Sequence, residues 1–263
     1  MQKTFLQEGY YSDNVAITRR HFHLCYEMIV VIEGHILLRI DQKECSLSAG
    51  ELALIGAFEE HEISVLSDTY RRYILTFDPL PFERAIDDPR LVSVFKNRSE
   101  SFDHRFLIPA QGETLLKNMI DEPRDGDAFS SSLTTGWIKE FLIRLYRQNK
   151  ARFPSVAKTL SPEILTVQEY IDLHYSEEIK IAALSNRFHL NPCYLSHAFK
   201  ALTGYSPKRY LLLTRLSRAK ELLTHTNLSV SEISLRCGFP NSSNFIRAFR
   251  QELHITPNQY RKQ

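Results

Sequence analysis

The sequence predicts an α+β chain in two parts: a strand-rich front, forming a small barrel or sandwich with accessory helices, then an all-helical back. Three observations carry that prediction. Between about Arg20 and Phe77, short apolar and β-branched runs alternate with turn residues. From Pro162 onward, apolar residues recur at helical spacing. Within that helical part, one stretch repeats itself after fifty positions. At 263 residues, with 43% hydrophobic and 24% charged residues, the chain can fill two ordinary cores and has a globular balance.

The opening residues, Met1 to Glu8, lack the apolar core of a signal peptide, and no later run is long enough to cross a bilayer. A cytoplasmic protein without a membrane partner is therefore expected. Cys25, Cys45, Cys193 and Cys237 are scattered, with no C-x-x-C pair, which favours free thiols over a disulfide framework or a zinc site. Net charge is only +2, but it is unevenly spread. From Lys158 onward, 14 Lys and Arg face 8 Asp and Glu; the remainder holds 19 against 23. A basic back half suits a polyanionic partner, although a solvated surface alone can give the same imbalance.

In chain order, Glu27–Ile32 and His35–Ile40 read as strands flanking the turn Glu33-Gly34. Asp41-Gln42 and Ser48-Ala49-Gly50 punctuate the next pieces, and Arg72–Phe77 reads as a further strand. After Pro79 the spacing predicts helices over Phe82–Lys96 and Gly112–Asp121, and most clearly over Ser130–Asn149. Leu133, Trp137, Ile138, Phe141, Leu142, Leu145 and Tyr146 give that helix an apolar stripe. Both its own domain and a second copy are open as partners. Ala151–Pro162, with two prolines and little periodicity, reads as a linker dividing residues 1–150 from 163–263. Ser161-Pro162-Glu163 then supplies a cap, a first-turn proline and an acidic first turn. Ile164, Val167, Ile171 and either Leu173 or Tyr175 continue that helix.

The repeat is the strongest signal. Tyr194 to Lys200 and Gly204 to Tyr210 return as Asn244 to Arg250 and His254 to Tyr260. Upstream, Ile181–Leu184 matches Val230–Ile233, while Arg187 and Leu190 match Arg236 and Phe239. The unit is a helix, a tight turn, a second helix and a Pro-bounded exit. Leu184 and Ile233 bury each first helix. Gly238 suits a turn needing positive φ; His189 takes that place in the first unit less comfortably. Asn191 and Asn241 are N-caps, the former followed by Pro192 at the first helical position. Leu195/Phe199 and Phe245/Phe249 face inward at i, i+4, so Ser196, His197 and Lys200, and Ile246, Arg247 and Arg250, face out. Such a helix has the form of a DNA-recognition helix, against the plainer alternative of a solvated bundle.

From about Glu163 to Arg261 the chain resembles the DNA-binding domain of AraC/XylS-type transcriptional regulators. The resemblance rests on Arg215 to Leu223, Val230–Ile233, Cys237-Gly238-Phe239, Asn244-Phe245, Phe249-Arg250 and Thr256 to Arg261. Ser234, Pro240-Asn241 and His254 depart from the usual pattern; His254 stands where Gly normally ends the recognition helix and implies left-handed strain. The resemblance implies a joining helix near Lys208–His225 and two helix-turn-helix units reading successive major grooves of double-stranded DNA. It places base-edge candidates at Cys193, Ser196 and His197, and at Ser242, Ser243, Ile246 and Arg247, with Asn241 at the helix start. Arg247 can bond a guanine bidentately, while Lys200 and Arg250 grip phosphate. It also implies a homodimer that activates transcription with RNA polymerase as partner.

In the front half, His21-Phe22-His23, Glu27 and Gly34 fit the spacing H-x-H-x3-E-x6-G, and Gly50 and His61 fall at matching later positions. This resembles the cupin motifs, so a cupin-like β-barrel is expected, although Gly56 and Phe58 replace the usual Pro and Gly. Residues 21, 23 and 27 share parity and on one continuous strand would face one side. Three readings stay open: a small-molecule effector site with a sugar as candidate ligand, a divalent metal site on His21, His23, Glu27 and His61, or histidines satisfied by structural bonds. Arg39, Glu51 and Arg72 are further polar candidates, and Tyr10-Tyr11 could form an arm over the pocket. The leading expectation is an effector-responsive regulator without catalytic residues. The alternatives are a cupin metalloenzyme fused to a DNA-binding module, and a constitutive DNA-binding dimer.

Overall fold

The computed structural model describes residues 5–13, 18–41, 43–96, 98–99, 101–122, 127, 129–155 and 162–262. By contact the chain divides into two compact units, residues 1–156 and 157–263.

Among the described residues the first unit carries nine strands: β1 (Leu6–Ser12), β2 (Thr18–His21), β3 (Tyr26–Glu33), β4 (His35–Ile40), β5 (Lys43–Ser48), β6 (Glu51–Ile55), β7 (His61–Val65), β8 (Arg71–Phe77) and β9 (Arg105–Leu107). They form a five-stranded sheet in the order β1-β8-β3-β6-β9 and a four-stranded sheet in the order β2-β7-β4-β5. Among the described residues no ladder joins the two, so the strand-rich part is an open sandwich and not a closed barrel. The continuous apolar run of β3 follows from its place, covered on both faces. Met28 and Val30 pack outward with Phe82, Leu116, Ile138 and Phe141. Ile29 and Val31 pack inward against Ile36, Leu38 and Ile63 of the other sheet. Each such side chain, fully buried, stabilises the fold by about 1.5–3 kcal/mol.

Helices α1 (Pro79–Ile86), α2 (Pro89–Val92), α3 (Gly112–Asp121) and α4 (Ser130–Asn149) cover the outer face of the five-stranded sheet. The single helix expected over Phe82–Lys96 is broken. Asp87 takes a left-handed φ of 55°, Asp88 is extended before Pro89, and the chain resumes as α2 and a 3-10 turn at Ser93–Phe95. In α4 the unit's own core takes Ile138, Phe141, Leu142 and Leu145, leaving Leu133 exposed. The expected linker starts too early. Phe153 is buried against Phe106 and Tyr146, and Arg152 pairs with Asp103, so these residues belong to the first unit. Gln42 and Ser161, expected in a turn and a cap, lie outside the described residues.

The second unit is helical: α5 (Pro162–His174), α6 (Ile181–Arg187), α7 (Pro192–Thr203), α8 (Pro207–His225), α9 (Val230–Arg236), α10 (Ser242–Leu253) and α11 (Pro257–Arg261). In α5, Ile164, Val167 and Ile171 are buried, and Tyr175 rather than exposed Leu173 continues the stripe. The joining helix α8 is buried on most sides, through Tyr210, Leu213, Leu216, Ala219 and Leu223, because α5 and α7 pack near one end and α9 and α11 near the other. Each helix-turn-helix closes over its own apolar pair, Leu195/Phe199 in α7 and Phe245/Phe249 in α10, all at most 1% exposed.

Candidate functional sites

In the first unit the polar residues expected together do come together, though not for the expected reason. His21 ends β2 in one sheet, the chain crosses over through residues 22–25, and Glu27 lies on β3 of the other sheet. Convergence therefore comes from two inner faces opposing each other, not from one strand's parity. His61 pairs with His21 across the β2–β7 ladder and completes the group. The ligating nitrogens of His21, His23 and His61 lie within 4.8 Å of one another. Glu27, 6% exposed, puts Oε2 2.9 Å from His23 Nε2 and 3.1 Å from His61 Nε2.

Backbone groups aim these rings. His23 Nδ1 lies 3.0 Å from the carbonyl of Cys25, and His61 Nδ1 lies 2.9 Å from that of Glu59. A carbonyl can only accept, so each Nδ1 carries the proton and each Nε2 is turned toward Glu27. At His61 the approach to Glu27 is close but not aligned as a hydrogen bond, so charge attraction links the two. Burial alone would raise the Glu27 pKa, yet the hydrogen bond to His23 and the imidazole of His61 beside it hold it well below the usual carboxylate range. Burial would likewise lower His61, and the Glu27 carboxylate overrides it and raises the value. Four donors of N and O type around one point are a set that fits a divalent ion.

The loop carrying Glu59 is itself pinned. Phe58 takes a left-handed φ of 63° and donates its N–H to the His23 carbonyl at 2.7 Å. Arg98, nearly buried, pairs with Glu59 and donates to the carbonyls of Leu54 and Val94. Burial would raise the Glu59 pKa, but Arg98 and His104 beside it lower it. Nothing in the sequence pattern singled out Arg98 or His104, because Leu54 and Glu59, which hold them in place, are far away in the chain, in β6 and the loop after it. At this end of the sandwich a cavity of about 740 Å³ is lined by Arg20, Asp41, Lys43, Glu60, Arg98 and His104.

Arg39 is not part of the site. β4 alternates, Ile36, Leu38 and Ile40 pointing inward, so Arg39 points out and pairs with Glu44 and Glu62. Glu51 is also taken up locally, accepting from the Ser48 N–H at 2.7 Å. Arg72 does face inward: it pairs with Val31 and Ser12 in register, is 5% exposed, and lies 4.7 Å from the centroid of Tyr70. Tyr10 stands on the same face, its hydroxyl within electrostatic reach of both Arg72 and Glu27. Tyr11 faces the other way and packs against Tyr73.

In the second unit the recognition-type helices are built as the residues predicted. Asn191 accepts from the N–H groups of Cys193 and Tyr194, and Asn241 accepts from that of Asn244 at 2.8 Å. Ser229 and Glu232 form a capping box on α9, which α6 lacks. Cys193, Ser196, His197 and Lys200 are exposed on α7, as are Ser243, Ile246, Arg247 and Arg250 on α10. Ser242 is half-buried and bonds Ser231 of α9, tying the helix start to its partner. Arg247 donates to Asn244 Oδ1 at 3.0 Å, which steadies an otherwise mobile side chain. Arg209 grips Glu252 with two nitrogens and so ties the start of α8 to the end of α10.

Residues 5–108 match the family described as AraC-like ligand binding domain, and residues 184–263 match the one described as Helix-turn-helix domain. The HTH-type transcriptional activator RhaS of Salmonella arizonae is 38% identical over 243 residues, covering 92% of this chain and 87% of that protein. The uncharacterized HTH-type transcriptional regulator YdiP of Escherichia coli is 29% identical over 164 residues, 60% of this chain and 54% of that protein. The fold is similar to that of ToxT from Vibrio cholerae with a bound unsaturated fatty acid, at a TM-score of 0.65 and 12% identity, covering 96% of this chain and 93% of that one. Among the described residues no helix is long and apolar enough to cross a membrane.

Proposed function

The chain belongs to the AraC family of transcriptional regulators, and from that premise we propose that it activates transcription by setting α7 and α10 into successive major grooves when a small molecule occupies its first unit. The observation that carries this reading is the pair of capped, outward-polar helices held by one long helix. The nineteen residues of α8 span about 28 Å, close to the ~34 Å turn of B-DNA. Two readers hung on it can meet one face of a duplex a turn apart.

In this reading Arg247 bonds a guanine edge, and Ser242, Ser243 and Ile246 complete the contact around it. Cys193, Ser196 and His197 read the other half-site more weakly. Lys200 and Arg250 hold phosphates, helped by the helix starts at Asn191 and Asn241. The effector sits at the His21/His23/Glu27/His61 corner with Arg72, and acts by binding the DNA-competent arrangement better than the alternative. A homodimer and RNA polymerase are the remaining partners of this cytoplasmic regulator.

Selection of binding sites from random duplexes with the full chain tests it. The expected motif has two half-sites about 10 base pairs apart. Lys200→Ala and Arg250→Ala should each flatten the salt dependence of binding by about one unit of log–log slope, without changing the motif. No recoverable motif, or unchanged slopes, would count against the assignment.

A further inference from the structure

The cavity of about 740 Å³ at the end of the sandwich shares no lining side chain with the His21/His23/Glu27/His61 corner. Three carboxylates and three cations line it, and two opposite pairs are already closed. Arg98 holds Glu59, and Arg20 holds Glu60 at 2.7 Å. Both arginines also donate to backbone carbonyls, Arg98 to those of Leu54 and Val94 and Arg20 to that of Asp41, so they form a fixed frame. That leaves Lys43 and Asp41, one of each sign, at the turn end of the β4–β5 hairpin. Lys43 stands opposite buried Ile40 and alternates with Cys45 and buried Leu47, so its side chain leaves the inner face of the sheet. Among the described residues neither Lys43 nor Asp41 has an ion-pair partner. The Asp41 carboxylate has the Glu60 N–H beside it, yet burial and the neighbouring Glu59 push its pKa up, and Arg20 and Arg98 offset that only in part.

His104 completes the set. It is 6% exposed and lines the same cavity. Its Nδ1 lies 3.0 Å from the Leu54 carbonyl, which can only accept, so Nδ1 carries the proton. Burial and the Arg98 charge lower its pKa and keep the ring neutral. Nε2 therefore holds a lone pair, and no donor among the described residues meets it. A buried acceptor without a donor is unfavourable, so an occupant with an N–H or O–H is favoured there.

The three unmet groups set the chemistry of that occupant. An anion satisfies Lys43 but leaves Asp41 without a cation and Nε2 without a donor. A cation does the reverse. A neutral polyol reaches all three, but covers both charges without compensating either. A carboxylate and an ammonium a few bonds apart meet all three at once. The carboxylate takes Lys43, and the ammonium, with three N–H donors, takes Asp41 and His104 Nε2. Such a molecule has zero formal charge, as does the lining. We infer that this cavity binds a free α-amino acid, at a site separate from the effector corner. The inference does not depend on what the corner holds.

Thermal shift and titration calorimetry of the full chain against the twenty common L-amino acids test it. At least one should raise the Tm and bind at one site per chain. Its amide, its decarboxylated amine and the matching acid without the amino group should each bind at least tenfold more weakly. Lys43→Met should weaken the amino acid at least tenfold while hardly changing the decarboxylated amine. Asp41→Asn, which keeps a residue tolerant of the left-handed turn, should weaken the amino acid equally while hardly changing the deaminated acid. Arg39→Met, on the outward face of the same hairpin, should change nothing. Circular dichroism checks that each variant folds. Absence of amino-acid binding to the folded chain, or binding indifferent to both Lys43 and Asp41, overturns the proposal. A hit that survives both variants but is lost in Glu27→Gln binds at the corner; it overturns this site and leaves the effector reading standing.

Discussion

The first helix-turn-helix has a histidine at its turn and a glycine at the end of its recognition helix; the second has a glycine at its turn and a histidine at the end. All four residues are left-handed: His189 at φ 53°, Gly204 at 83°, Gly238 at 77° and His254 at 58°. A residue with a Cβ pays about 1–2 kcal/mol for that region, so each unit has one strained corner and one relaxed corner. What repeats is the path of the backbone, and side chains were fitted to it separately. The exchange is nevertheless unequal. A Cβ on Gly238 would stand 2.7 Å from the carbonyl oxygens of both Tyr175 and Ser176, whereas one on Gly204 would meet nothing within 4 Å.

That inequality gives the largest expected effect. Gly238→Ala should destabilise the second unit by about 3 kcal/mol or more, since a backbone clash adds to the left-handed strain. Gly204→Ala should lose only about 1 kcal/mol. Equal losses in thermal melts would show that the carbonyl contact relaxes away. A smaller effect separates the readers. Arg247→Ala should cost about 1–3 kcal/mol in DNA binding and relax one base position, while His197→Ala should cost less. Equal losses measured by fluorescence anisotropy would make the two helices equal readers. Smallest is the relief of strain: His254→Gly and His189→Gly should each raise stability by about 1 kcal/mol or less. A loss in either would mean that the imidazole makes a contact outweighing its backbone strain.

The helical unit was legible almost residue by residue because its signals are local. Caps at Asn191 and Asn241, the inward pairs and the left-handed His254 all follow from neighbours within four positions. The first unit was legible only in part. The strands β3 and β4 and the helices α3 and α4 came out because their periodicity is internal to each. Sheet membership did not, since no local pattern says that β2 and β3 belong to different sheets. Arg39 illustrates the loss: its facing depends on the β4 register, and that register turns it to solvent. Arg72 was visible as a polar residue in an apolar strand, but its inward facing is set by pairing with β1 and β3. The helix expected over Phe82–Lys96 breaks between Asp87 and Pro89, because a proline cannot continue a helix and apolar spacing does not register that.

The helix α8, buried on most sides between the two readers, has a consequence for how such a protein can change its target. One residue added to an α-helix lengthens it by about 1.5 Å but turns everything beyond it by about 100°. On the docking proposed above, a single insertion in α8 would therefore swing α10 out of its groove before shifting it by even half a base pair along the duplex. Seven residues come close to restoring the phase, but they overshoot by about 10 Å. The distance between half-sites is thus not a quantity this architecture can adjust in small steps. New promoters must be met by rewriting the outward side chains of α7 and α10, or by DNA that bends to fit the fixed span.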